Sequence, residues 1–105
     1  MIVYIAGPYA QPDQAANVRL AIQAAEIVRD RGHLPYVPHL SHLWHLCSPH
    51  DRDYWLKMGL EWVRVCDVLY RIPGYSAGAD AEEELARALR KVVVHTLRDL
   101  RELLG

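Results

Sequence analysis

The sequence predicts an α/β domain: a doubly wound parallel sheet of about four to five strands with helices on both faces. Three observations predict it. Short apolar runs alternate with stretches of helical periodicity along the whole chain, an order that brings right-handed crossovers and a parallel sheet. The first of these runs is apolar on both faces, as a strand covered by helices on both sides must be. Finally, 105 residues, 51% hydrophobic and 24% charged, suffice for one domain (residues 1–105) with its own core.

Met1 to Ala6 is the first strand, rich in β-branched residues and ended by Gly7-Pro8. Asp13 to Arg31 takes helical spacing, with Val18, Ala21, Ile22, Ala25 and Val28 on one stripe, Pro12-Asp13 as the start signal and Gly32 as the cap. Leu34 to Val37 is a second strand between Pro35 and Pro38. His39 to His50 carries four of the six histidines and is less regular. Asp51 to Arg64 forms a helix with Trp55, Met58 or Gly59, Trp62 and Val65 inward, weakened at Gly59 by about 1 kcal/mol. Asp67 to Ile72 is the third strand, broken by Pro73-Gly74. Ala79 to Arg90 is a helix, Val92 to Thr96 a fourth strand and Leu97 to Leu104 a last helix.

Composition excludes several classes. A formal net charge of -1 and a pI near 6.6 speak against a nucleic-acid polymer or an anionic membrane as partner. Cys47 and Cys66 form neither a disulfide framework nor a zinc knuckle. There is no apolar run of the ~20 residues a bilayer span needs, and no basic-then-apolar leader. These features predict a small soluble cytoplasmic domain.

Ligands of doubly wound sheets bind beyond the carboxyl ends of the strands, where the strand order reverses. The loops that matter are therefore Gly7 to Asp13, Pro38 to Asp51 and Pro73 to Ala81. In the last, Gly74, Ser76 and Gly78 make a flexible turn whose N–H groups, with the following helix N-terminus, suit an anion such as phosphate. Three glutamates follow. Glu83 pairs at i+4 with Arg87 on a solvated face, and Glu84 also points away from the apolar stripe. Glu82 instead shares the stripe of Ala79, Leu85, Ala86 and Leu89. A first-turn carboxylate facing inward is costly to desolvate unless it has partners or a task. The plainer alternative is a helix-dipole acid.

VYIAGPY (Val3 to Tyr9), LEWVRVCDVL (Leu60 to Leu69) and SAGADAEEELA (Ser76 to Ala86), in this order and covering nearly the whole chain, resemble the nucleoside 2-deoxyribosyltransferase family, which includes N-glycosidases of deoxynucleoside monophosphates. The resemblance implies a flavodoxin- or Rossmann-like sheet, as already read from the periodicity. It implies a glutamate nucleophile six residues after the loop serine, which is Glu82, the residue that the helical-face argument picks independently. It implies that Tyr4, otherwise a core aromatic, holds the nucleophile, and that Ser76 and Gly78 contact a phosphate. Gly7, Pro8, Tyr9 and Gly74 belong to the corresponding substrate turns. The family needs no cofactor and no metal, acts on a small nucleoside or nucleotide, and forms homo-oligomers.

This sequence departs from the pattern at Gly59, where the family usually has an aspartate that handles the leaving base, and it ends early, at Leu103-Leu104-Gly105. Asp51, Asp53 and Asp80 remain as candidates for the acid; Asp67 opens a strand at the wrong edge. A carboxylate beneath sugar C1′ stabilises an oxocarbenium-like transition state and can form a glycosyl ester; water as acceptor gives a hydrolase, a second base a transferase.

His39, His42 and His45, spaced by three near Cys47 and His50, could serve a metal. Without a paired motif, the loop is instead expected to wall the base with His39 and Trp44. Trp55 and Trp62 fit core packing, Arg19 could reach a phosphate, and Leu97 to Leu104 suits either the core or a homodimer seam. The expected function is cleavage or transfer of an N-glycosidic bond; the rival classes are a non-catalytic nucleotide-binding module and a histidine-loop metal protein.

Overall fold

The computed structural model describes residues 1–105. Its strands are β1 (Ile2–Ala6), β2 (Leu34–Tyr36), β3 (Val68–Arg71) and β4 (Val92–Val94). Its helices are α1 (Gln14–Asp30), α2 (Ser41–Cys47), α3 (Arg52–Val65), α4 (Ala77–Ala88) and α5 (Leu97–Leu104). All strand pairs are parallel, in the order β2-β1-β3-β4. The order reverses at β1, so the loops after β1 and β3 flank the switch point, where an open α/β sheet leaves its crevice. This is the α/β architecture that the alternating periodicities predict.

The helix starts follow from side chains at their caps. The carboxylates of Asp13 and Asp51 accept from the N–H groups of Ala16 and Tyr54. The hydroxyls of Ser76 and Thr96 do the same for Ala79 and Asp99. Each cap satisfies one donor that a helix leaves open in its first turn. Gly32 follows α1 with φ +80, the left-handed conformation a glycine adopts without strain.

Alternate strand residues face opposite layers. Val3, Ile5, Val68, Tyr70 and Ile72 pack with Ala21, Ala24 and Val28 of α1 and Leu100 and Leu104 of α5. Tyr4, Ala6 and Leu69 pack with Val63 of α3, Cys66, and Ala79 and Ala86 of α4. The last helix therefore belongs to the core.

Several details differ from the periodicity reading. The expected helix start at Ala79 moves forward to Ala77 because Ser76 is the cap, and the helix ends at Ala88. The histidine segment is regular: a 3₁₀ turn over Pro38–Leu40 leads into α2. α1 buries Asn17, Ala21, Ala24 and Val28, leaving Ile22 exposed. α3 buries Gly59 and Val63, while Trp62 and Val65 are exposed. In both helices small residues meet the core, because they let the helix approach its neighbours closely, and the bulkier side chains turn to the rim. Trp62 accordingly stacks on Tyr36, with ring centroids 4.8 Å apart.

Candidate active site

Beyond the carboxyl ends of β1 and β3 lies a crevice of about 490 Å³. Gly7, Tyr9 and Gln11 from the loop after β1 form one side; Pro38, His39 and Ser41 form another. Arg52, Trp55 and Leu56 of α3 face Tyr75 to Gly78 at the start of α4, with Glu82 below them.

Glu82 is 8% exposed. Its Oε2 accepts a hydrogen bond from the hydroxyl of Tyr4, which rises from the middle of β1 and is fully buried. Position 59 completes this pair. A Cβ added to Gly59 would stand 2.7 Å from Glu82 Oε2 and 2.8 Å from the Tyr4 hydroxyl oxygen. Any side chain there would displace one or both, so glycine at mid-helix is the residue that admits the pair. With Oε2 pinned between Tyr4 and the α3 backbone, Oε1 is the oxygen left for other chemistry.

Burial pushes the Glu82 carboxyl up to about 7, opposed by the Tyr4 hydrogen bond and the charge of Arg71. Tyr4 is raised as well, by burial and then by the carboxylate beside it, and so remains a donor. Arg71 ends β3 and is buried. Its Nη1 donates to the Ile72 carbonyl, and Nη2 donates to the Gly74 carbonyl at 3.0 Å and to Asp80 at 2.8 Å. Nε lies 3.6 Å from Glu83. The guanidinium thus ties the turn after β3 to the first turn of α4. Glu83 is correspondingly more than a solvated surface acid: it also contacts Arg87 and His95.

The turns after β1 and β3 touch behind the crevice. Gly74, at φ +123, has its Cβ position 2.8 Å from Pro8 Cγ, so both residues support the wall without lining the hollow. Asn17 donates to the carbonyls of Tyr9 and Gln11, at 3.0 Å each, and fixes the loop after β1. His39 Nε2 donates to the Pro8 carbonyl at 3.0 Å, which leaves Nδ1 as an acceptor. That nitrogen and the Tyr9 hydroxyl have no partner. Burial holds the His39 imidazole below its ordinary range despite the Pro8 contact.

Of the residues expected from the sequence, Gly7, Tyr9, His39, Ser76, Gly78 and Glu82 line the crevice, and Tyr4 lies directly beneath it. Trp44 does not wall it. It packs in a ring cluster with His50, Tyr54 and Trp55, while His45 accepts from Trp55 Nε1. No three His, Cys, Asp or Glu side chains converge on a metal position. Asp51, Asp53 and Asp80 stay outside the crevice, and Arg19 lies in a separate hollow beside Leu97 and Arg101. Sequence reasoning missed Arg71, Asn17 and Arg52. Only Arg71 left a signal, as an arginine ending an otherwise apolar strand.

The chain matches, over residues 1–96, a family described as Domain of unknown function (DUF7768). No curated protein matches it. Among solved structures it is similar to a 2-desoxiribosyltransferase from Leishmania mexicana, at 20% identity and TM-score 0.66, over 88% of this chain and 61% of that one. It is also similar to a 2-deoxyribosyltransferase from the psychrotolerant bacterium Bacillus psychrosaccharolyticus, at 21% identity and TM-score 0.69, over 89% of this chain and 69% of that one. The chain spans less than two thirds of the first structure. What it shares with both is the fold, the one that the sequence resemblance implies. No helix is long and apolar enough to cross a membrane.

Proposed function

The chain belongs to the DUF7768 family, and from the geometry of its crevice we propose that it cleaves or transfers the N-glycosidic bond of a nucleoside or nucleoside monophosphate, with Glu82 as nucleophile. One observation carries this reading: a buried carboxylate, held at one oxygen by a buried tyrosine, lies at the floor of a crevice at the sheet's switch point. Desolvation is costly for such a group, and a carboxylate below C1′ is what an oxocarbenium-like transition state requires.

In the first half-reaction Glu82 Oε1 bonds to C1′ as the C1′–N bond breaks, and the base leaves with the electron pair. In the second, water or another base bonds to C1′ as the C1′–Oε1 bond breaks, which returns the carboxylate, and the proton the acceptor loses passes to the departed base. Tyr4 holds Oε2 throughout, fixing the direction of attack. The reaction needs Glu82 ionised, so activity rises with pH through about 7.

A specific observation favours a second reading, a nucleotide-binding module without turnover. Glu82 is the sole carboxylate lining the crevice, which leaves no second acid to protonate a departing base. Incubation with a panel of nucleosides and nucleoside monophosphates, followed by chromatography for free base, separates the two. The enzyme releases base, and Glu82→Ala lowers the rate at least about a thousandfold. Binding without release leaves the module.

The homo-oligomer remains part of the proposal. Because Leu100 and Leu104 are buried within the chain, the seam moves from α5 to the exposed Leu40, Leu43, Leu46, Trp62 and Val65, an apolar set that a second copy would cover. Sedimentation showing only a 12.0 kDa species would remove it.

A further inference from the structure

Resting on the reading of Glu82 as a glycosidic nucleophile, we propose that the substrate is an N-glycoside whose base carries a positive charge, such as a pyridinium or an N7-alkylated purine. Such a base leaves without being given a proton. When a neutral nucleoside is cleaved, the electron pair of the C1′–N bond goes to the base, and a proton donor at that point contributes about a hundred- to ten-thousandfold. The crevice offers no such acid. Glu82 is its only carboxyl group and is needed at C1′. Position 59, which faces that group from α3, admits none, because any Cβ there would fall 2.7 Å from Glu82 Oε2. Asp51, Asp53 and Asp80 are exposed outside the hollow.

The other hydrogens around the hollow are engaged or weakly acidic. Tyr4 donates its hydroxyl to Glu82. His39 gives its ring N–H to the Pro8 carbonyl, and burial opposes a second proton on the imidazole. The indole N–H of Trp55 goes to His45 Nδ1 at 3.0 Å. Burial raises the Tyr9 phenol, which makes it a poorer proton donor. Tyr75 stands in water, 86% exposed, and a guanidinium such as Arg52 keeps its protons at any working pH.

The same features favour a cationic base. Its charge beside Glu82 favours the ionised carboxylate, which burial otherwise opposes. As Oε1 bonds to C1′ and the C1′–N bond breaks, the electron pair neutralises the base, and carboxylate and cation become a neutral ester and a neutral base. A floor held out of water promotes that loss of charge. Water then bonds to C1′ as the C1′–Oε1 bond breaks, and its proton passes to solvent. The walls suit a flat cation as well. Trp55 lines the crevice, and its neighbours Trp44, His45, His50 and Tyr54 all meet it at 69–79°, so no ring stacks on its plane. Indole is the best aromatic face for a cation. Arg52 is the one fixed positive charge lining the hollow, but it is exposed, and solvent screens it.

The test is base release, read by chromatography, from nicotinamide riboside and its 2′-deoxy form against adenosine, guanosine, cytidine, uridine and their 2′-deoxy forms. Spontaneous release is subtracted. Nicotinamide should be freed with kcat/KM at least about a hundredfold above that of any neutral nucleoside, and Glu82→Gln should abolish the release. Neutral nucleosides cleaved within about tenfold of the cations overturn this inference and leave the glycosidic reading standing, since an acid then reaches the base, for instance from a second copy. Where nothing is released, calorimetry compares nicotinamide riboside with its neutral dihydro form, which has nearly the same shape. A preference of about tenfold or more for the cation, erased by Glu82→Gln, keeps the cationic ligand and sinks the glycosidic reading alone. Equal binding of the two, or none, sinks both.

Discussion

The sheet face covered by α1 and α5 and the face covered by α3 and α4 are built from alternate residues of the same strands, yet they are put to different uses. The first joins Val3, Ile5, Val68 and Ile72 to alanines, Val28 and the leucines of α5, with no charged group among them. The second has Tyr4, Glu82 and Arg71 in or beside its core, with Gly59 pressed against two of them. Apolar burial stabilises the first face at about 25 cal/mol per Å². The second gives up part of that gain to hold a carboxylate out of water. A chain this small can do so because the other face does not share the cost.

The sharpest way to separate the faces is the pH dependence of stability. Glu82 has its carboxyl raised from 4.5 to about 7 in the folded protein. Between those values the native state holds a proton that the unfolded chain has lost, so this residue's contribution to stability falls as pH rises through the window. Above pH 7 the accumulated penalty is roughly 3 kcal/mol. Glu82→Gln keeps an acceptor for the Tyr4 hydroxyl and removes the charge. Denaturant unfolding should find it more stable than the parent by up to roughly 3 kcal/mol at pH 8, with the advantage vanishing near pH 4. Leu100→Ala, on the other face, should cost about 2–5 kcal/mol with no dependence on pH over the same range. A Glu82→Gln difference that stays flat across pH would mean that the carboxylate is not desolvated.

The two faces also differed in how far they could be read from the sequence. Order, type and approximate limits of the elements were legible, because hydrophobic period and capping residues act locally: Asp13, read as a start signal, begins α1 through a contact three residues away, whereas Ser76, read as part of a turn and not as a cap, starts α4 two residues before the expected Ala79. Glu82 was legible for a related reason, its place on the inward stripe of α4. Helix rotation was not. Periodicity weights large apolar residues, whereas α1 and α3 turn Ala21, Ala24 and Gly59 inward and expose Ile22 and Trp62, since close approach to the core is governed by volume. The polar supports were hidden too. Asn17 and Arg71 are held by carbonyls of irregular turns three to eight residues away, and although an arginine ending an apolar strand is a signal, hydrophobic periodicity does not say which carbonyls such side chains meet. Trp44 was misplaced because nothing in a histidine-rich stretch announces a short helix that points its rings at α3.

Gly59 sharpens the comparison further, because two physical effects act there in opposite directions. Alanine at mid-helix is favoured over glycine by about 1 kcal/mol. Yet its Cβ would come within 2.7 Å of Glu82 Oε2 and 2.8 Å of the Tyr4 hydroxyl, both too close to stand. The glutamate is flexible and can swing away; the phenol is rigid and cannot follow. Gly59→Ala should therefore part the carboxylate from its donor and, because the buried phenol still meets the methyl group, lower stability by about 1–3 kcal/mol despite the better helix propensity. Losing that hydrogen bond removes one of the influences that lower the Glu82 carboxyl, so the acid limb of kcat/KM should move above 7 and the plateau fall about tenfold or more. Thermal melts read beside a pH profile of base release check both halves. A variant of parental stability with an unshifted profile would mean that the pair tolerates a methyl group between α3 and α4, and that position 59 sets nothing about Glu82.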